Sequence, residues 1–258
     1  MSLKKIIERN ELKSRDNKEE QLQEVYGTEH FGYFLYSLIK MERPKTVIEL
    51  GSGLGTTSLM IGQALKENNY GKLWAIDDGR DWKDLQKCLN LNIKYNTHKE
   101  FFIDLIKKYG LESNINFKTT SLTEKDYFHT KEKIDIIFCD CTDAGPKGVI
   151  NLLKYYLLKM NTYSSIFLDR SSTINHSFLM LETIISHLQN NKIPDIITKD
   201  WSKKQINKLY ELIKKTKFTL IHLTDQREGK KNFQQNSRSW IKIEPLDVFI
   251  HNNVENFL

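Results

Sequence analysis

Apolar and polar positions follow two registers along this chain. Short aliphatic or β-branched runs recur at 46–50, 73–77, 115–119, 134–139 and 165–168, each closed by turn residues. Between them, apolar residues return at helical spacing. One such face joins Phe31, Phe34, Leu35, Leu38 and Ile39 in a helix expected over about 30–40. Further helices are expected over about 56–67, 147–159, 175–189 and 203–215, with Pro146 suited to the first turn of its helix. The charged segment 3–25 reads as helical, and 82–109 as long and partly helical. Two last strands, 218–223 and 238–243, have no helix between them, which predicts an antiparallel C-terminal hairpin. Strand–helix alternation predicts an α/β fold: a doubly wound, seven-stranded, mostly parallel sheet. Pro44 closes the entry region, so the expected division is an N-terminal helical cap over 1–43 and a main domain over 44–258.

The first strand carries the most specific chemistry. Thr46-Val47-Ile48-Glu49-Leu50 runs straight into Gly51-Ser52-Gly53-Leu54-Gly55, and a helix begins at Thr56. Glycines permit positive φ and close backbone approach, and the helix start offers free N–H groups. The glycines are spaced G-x-G-x-G, one residue short of the dinucleotide fingerprint, and no G-K-[ST] follows to make a phosphate loop. Glu49 would repel a pyrophosphate but could pair with a ligand ammonium group.

E-x-G-x-G-x-G after the first strand resembles motif I of the class I S-adenosylmethionine-dependent methyltransferases, closest to the catechol O-methyltransferase-like branch. The resemblance covers about residues 40–245 and implies a Rossmann-like fold that binds S-adenosylmethionine at the carboxyl ends of its strands. It implies cofactor contacts from Glu49, Gly51, Ser52, Gly53 and Gly55. Thr57 would meet the cofactor carboxylate. Asp77, ending the second strand, would accept the ribose hydroxyls, with the adjacent Asp78 as the alternative. Ser121 would meet the adenine edge, or cap a helix with Glu124. Asp140, ending the fourth strand, would border the cofactor at the reacting centre.

Metal-dependent members of that branch carry an Asp after strand four and an Asp-Asn pair after strand five, with a general-base Lys three residues after the first Asp. Here Asp140 and Asp169 match the carboxylates, Arg170 replaces Asn, and Asp143 replaces Lys. Two readings stand: Asp140 and Asp169 hold Mg²⁺ with help from Asp143, or Arg170 neutralises the carboxylates at a metal-free site. The second is favoured. Asp140 or Asp143 would then orient or deprotonate the acceptor, with His30 and His176 as further proton acceptors. The leading function is O-methylation of a small molecule. Alternatives are N-methylation, RNA or peptide methylation, a non-catalytic S-adenosylmethionine-binding protein, or a nicotinamide dehydrogenase. The loop Asp140-Cys141-Thr142-Asp143 lacks the N/D-P-P-Y/F pattern of amide and adenine enzymes and the Pro-Cys of cytosine enzymes.

Composition narrows the partners. The net charge of +6 over 39 basic and 33 acidic residues is modest, and no RNA-binding module is recognisable, so nucleic acid is disfavoured. Three cysteines, none in a C-x-x-C pair, suit a reducing cytoplasm. No apolar run approaches the roughly 20 residues of a membrane span, and the start lacks a signal-peptide core. The charged N-terminal helices suggest a homodimer. Cys139 and Cys141 flank Asp140 and should point to one face.

Overall fold

The computed structural model describes residues 3–7, 29–89, 95–120, 128–141, 145–171, 175–223 and 237–246. Its strands are β1 (Thr46–Leu50), β2 (Lys72–Asp77), β3 (Ile115–Thr119), β4 (Ile134–Cys139), β5 (Met160–Asp169), β6 (Thr216–Leu223) and β7 (Arg238–Pro245). They form one seven-stranded sheet in the order β3-β2-β1-β4-β5-β7-β6. The described helices are α1 (Leu3–Ile7), α2 (Glu29–Glu42), α3 (Thr56–Asn68), α4 (Trp82–Leu85), α5 (His98–Lys108), α6 (Pro146–Tyr156), α7 (Asn175–Gln189), α8 (Asp195–Thr198) and α9 (Lys203–Lys215). This is the expected Rossmann-like architecture, with β7 inserted antiparallel between β5 and β6.

The chain divides into two compact units, Met1–Thr130 with Phe138–Cys141, and Lys131–Ile137 with Thr142–Leu258. In the first unit, β1 pairs parallel with β2, and β2 with β3. All five residues of β1 are buried, as befits a strand covered on both faces. That burial forces Glu49 into the core along with Val47, Ile48 and Leu50. The apolar face of α2 packs on α3, with Phe31, Leu35, Leu38 and Ile39 buried.

Segment 82–109 breaks where local chemistry breaks it. One turn of helix and a 3₁₀ turn end at Cys88, and residues 90–94 lie outside the described set. A fresh helix starts at His98 because Thr97 and Glu100 make a capping box, which satisfies otherwise orphaned N–H groups. Phe101 and Phe102 of α5 are buried beside Trp82 and Phe117.

In the second unit, β5 starts at Met160, five residues before the expected strand. Asn161, Thr162 and Tyr163 are not buried, so hydrophobic patterning gives no sign of them. Pro146 takes the first turn of α6 as expected. The one-turn α8 was not anticipated, being too short to show a period. Among the described residues no helix is long and apolar enough to cross a membrane.

Candidate functional site

The end of β1 is held by a backbone contact that only glycine allows. Gly51 has φ +88°, and a Cβ there would lie 2.1 Å from the carbonyl oxygen of Asp140. The Asp140 N–H donates to Leu50 O at 2.8 Å, and the Gly51 N–H to Ile76 O at 2.8 Å. The absence of a side chain here thus serves the approach of β4's end. Gly53 is the opposite case: φ is +48°, and a Cβ would meet nothing within 4 Å. Open space over a bare peptide is the feature a ligand needs. Gly55 caps α3, and the position of its missing Cβ is crowded by Leu105 and Phe102.

Three carboxyl groups gather around this loop. Glu49 is 1% exposed and accepts a hydrogen bond from the Ser58 hydroxyl of α3. Burial first, then repulsion from Asp140 and Asp77, push its pKa well above the ordinary carboxylate value, against the pull of the Ser58 hydrogen bond. Ser58 was missed in the sequence, although it lies one residue beyond Thr57 in the same turn. Thr57 itself is buried at the second position of α3.

Asp77 is buried, and both its oxygens are engaged. Oδ2 accepts the Gly53 N–H at 2.9 Å and lies 3.4 Å from Ser52 Oγ. Oδ1 accepts the Gly79 N–H at 2.8 Å and lies 3.4 Å from His98 Nδ1. Asp78, by contrast, faces outward and pairs with Arg80 at 2.6 Å. Of the two acids, Asp77 is the one tied to the glycine loop.

His98 was also missed. Its ring is 3% exposed, its Nε2 lies 2.6 Å from Gly53 O, and Trp82, Phe101, Phe102 and Phe117 surround it. The spacing Thr97-x-x-Glu100 could have found it, since a capping box there puts His98 at the first helical position.

The remaining candidates are scattered. His30 lies in the first turn of α2, and His176 is exposed in the first turn of α7. Ser121 and Asp143 lie outside the described residues. Cys139 and Cys141 do share a face, with sulfurs 3.3 Å apart. The Cys141 contact, and then burial, raise the Cys139 pKa well above the usual thiol value.

In the second unit, Asp169 is 5% exposed and held by two guanidinium groups: Arg238 Nε at 3.0 Å from Oδ1, and Arg170 Nε at 3.3 Å from Oδ2. Arg170 adopts φ +57°, and its N–H donates to Ser237 O at 2.7 Å. Arg238 was not anticipated. It reaches Asp169 because the two are register partners across β5 and β7, a pairing that only the hairpin's register reveals. A carboxylate shared by two arginines is already neutralised and does not fit the role of a Mg²⁺ ligand.

Residues 48–171 match a protein family described as a methyltransferase domain. Over this stretch the chain is similar to methyltransferase domains. The match spans β1 to the end of β5 and so takes in Glu49, the glycine loop, Asp77, Asp140 and Asp169. No curated protein sequence matches the chain. Among solved structures, the O-methyltransferase TomG from Streptomyces achromogenes, in complex with S-adenosylmethionine, is 11% identical, with 88% of this chain and 91% of that chain covered and a TM-score of 0.48. An O-methyltransferase from Bacillus cereus bound to S-adenosylhomocysteine is 14% identical, with 89% and 93% covered and a TM-score of 0.48. At this distance neither speaks to the methyltransferase domain's substrate.

Three outcomes are expected. Gly51→Ala combines positive φ with a backbone clash and should cost about 3 kcal/mol or more in urea unfolding. Gly53→Ala, with open space, should cost about 1 kcal/mol. Glu49→Gln tests the buried acid. Glu49's folded pKa is raised, so the stabilisation from its bound proton is fully present below 4.5 and is lost as pH rises through the folded value. Gln has no such proton to lose. The variant should therefore match the wild type at low pH and become more stable than it as pH rises, read by thermal unfolding across the pH series.

Proposed function

We propose that the chain is an S-adenosylmethionine-dependent methyltransferase that methylates oxygen on a small molecule without a metal ion. The observation that carries the cofactor reading is the convergence of Glu49, Asp77 and Asp140 beside an open glycine peptide. A cleft of one charge sign favours the opposite charge in its ligand. S-adenosylmethionine brings an ammonium and a sulfonium; a dinucleotide would bring two phosphates and be repelled.

The residues divide the work by chemistry. Glu49 takes the ammonium group, whose arrival makes the buried carboxylate worth ionising. The first-turn N–H groups of α3, with Thr57, face the cofactor carboxylate. Asp77 takes the ribose hydroxyls. Each of its oxygens carries one short hydrogen bond and one contact at 3.4 Å, and a carboxylate has about four lone-pair sites, so acceptor capacity remains. Ser121 stays with the adenine edge on resemblance alone.

Bound there, the cofactor supplies a methyl group already activated by the sulfonium charge. The protein's part is to hold the acceptor oxygen in line and to remove its proton. Asp140, at the end of β4, is the group we assign to that proton, with Asp143 and His30 as the other acceptors. The Asp169–Arg170–Arg238 cluster supports the metal-free form, because its arginines supply the positive charge that an ion would bring. The sparse cysteines fit a cytoplasmic protein. A homodimer through the N-terminal segment and the cap–domain division at Pro44 belong to the same proposal.

Calorimetry tests it directly. S-adenosylhomocysteine should bind with micromolar affinity, equally with and without Mg²⁺, and NAD should not bind. Asp140→Asn should still bind S-adenosylhomocysteine and should lower turnover on a responsive acceptor at saturating cofactor by roughly 10²- to 10⁴-fold. Intact turnover in Asp140→Asn would remove Asp140 from proton handling. Binding without transfer to any of a broad acceptor panel would favour the non-catalytic alternative.

A further inference from the structure

Gly53 is held at both ends of its own residue. Its N–H donates to Asp77 Oδ2 at 2.9 Å, and its carbonyl lies 2.6 Å from His98 Nε2. A carbonyl only accepts, so Nε2 carries the proton. The other ring nitrogen, Nδ1, makes no hydrogen bond of its own and faces Asp77 Oδ1 at 3.4 Å. One imidazole therefore spans the glycine loop and the end of β2, while Asp77 spans the same two places from the other side. Asp77 and His98 thus hold the Gly53 peptide from its two ends, the carboxylate at the N–H and the imidazole at the carbonyl.

This hold sits where it can matter. Gly53 is the loop glycine with open space beyond it. The imidazole is 3% exposed and fixed by aromatic neighbours at centroid distances of 5.4–6.4 Å. Its backbone is set by the α5 capping box. A buried, hydrogen-bonded side chain with a locked ring transmits position well, because neither end can relax into water.

We propose that His98 is the positioning residue of the cofactor site. By donating from Nε2 to the Gly53 carbonyl it fixes the plane of the bare peptide over which the cofactor lies. This rests on the cofactor reading above. His98 touches no reacting atom. Its effect is on cofactor affinity, exerted through Gly53.

The test compares His98→Gln, whose amide nitrogen can replace the Nε2 donor, with His98→Leu, which has similar bulk and no donor. S-adenosylhomocysteine affinity is read by calorimetry, and folding by circular dichroism. The wild type should bind, His98→Gln should stay within about threefold, and His98→Leu should weaken binding by about tenfold or more, the scale of one buried hydrogen bond. Folded His98→Leu that binds like the wild type overturns the proposal. So does equal weakening in both variants, since that reports ring packing rather than donation. A wild type that does not bind S-adenosylhomocysteine overturns the cofactor reading itself, a separate failure. Should His98→Leu not fold, ¹⁵N spectra of the wild-type imidazoles decide, with the His98 signals assigned by their loss in His98→Gln. A proton on Nε2 supports the proposal; the neutral Nδ1–H form contradicts it.

Discussion

The close approach of Gly51 to the backbone of Asp140 is the constraint on which the site depends. With 2.1 Å between the oxygen and the position of an absent Cβ, any other residue would push the end of β4 away from the end of β1. The hydrogen bond from Asp140 N–H to Leu50 O would go with it. That contact places the Asp140 carboxyl near enough to Glu49 to disfavour its charge. A packing requirement at one glycine thereby becomes an electrostatic property of the site.

The rest of the loop divides the tasks that a glycine-rich motif usually blurs together. Gly51 serves strand packing, Gly55 serves the packing of α3 against α5, and Gly53 leaves space. The carboxyl groups follow the same division. Asp77 is stabilised by backbone N–H groups and bridges two segments. Glu49, fully buried beside other acids, is costly as an anion until a cation joins it. Asp169 has its counter-charges built in as Arg170 and Arg238. Three acids at strand ends thus occupy three different electrostatic states, which argues for three different roles.

Much of this was legible in the chain. β1, β3 and β4 begin and end where their apolar runs do, since each is bounded by charged or turn residues. The charge of Glu49 and the spacing of the glycines gave the expectation of an ammonium-bearing rather than a phosphate-bearing ligand. What stayed hidden depends on tertiary placement. The first half of β5 carries polar residues, so no pattern marks it. Arg238 meets Asp169 only through the β5–β7 register, and nothing in the local sequence around either residue encodes that partner. His98 lay within reach of a capping-box reading, but its bridge from Gly53 to Asp77 comes from the sheet bringing β1 and β2 side by side. The packing role of Gly51 stayed hidden for a related reason: a glycine that admits a ligand and one that admits a neighbouring strand look alike in sequence.

The central claim is that the buried Glu49 carboxyl becomes charged when the cofactor's ammonium arrives. Proton release on S-adenosylhomocysteine binding measures this most directly, by calorimetry at mildly acidic pH in buffers of different ionisation enthalpy. Glu49 holds its proton above 4.5 in the free protein, so binding should expel a proton to the buffer in the wild type. Glu49→Gln should bind more weakly and release none. Tight binding with no proton release in the wild type, or unchanged affinity and release in Glu49→Gln, would contradict the account.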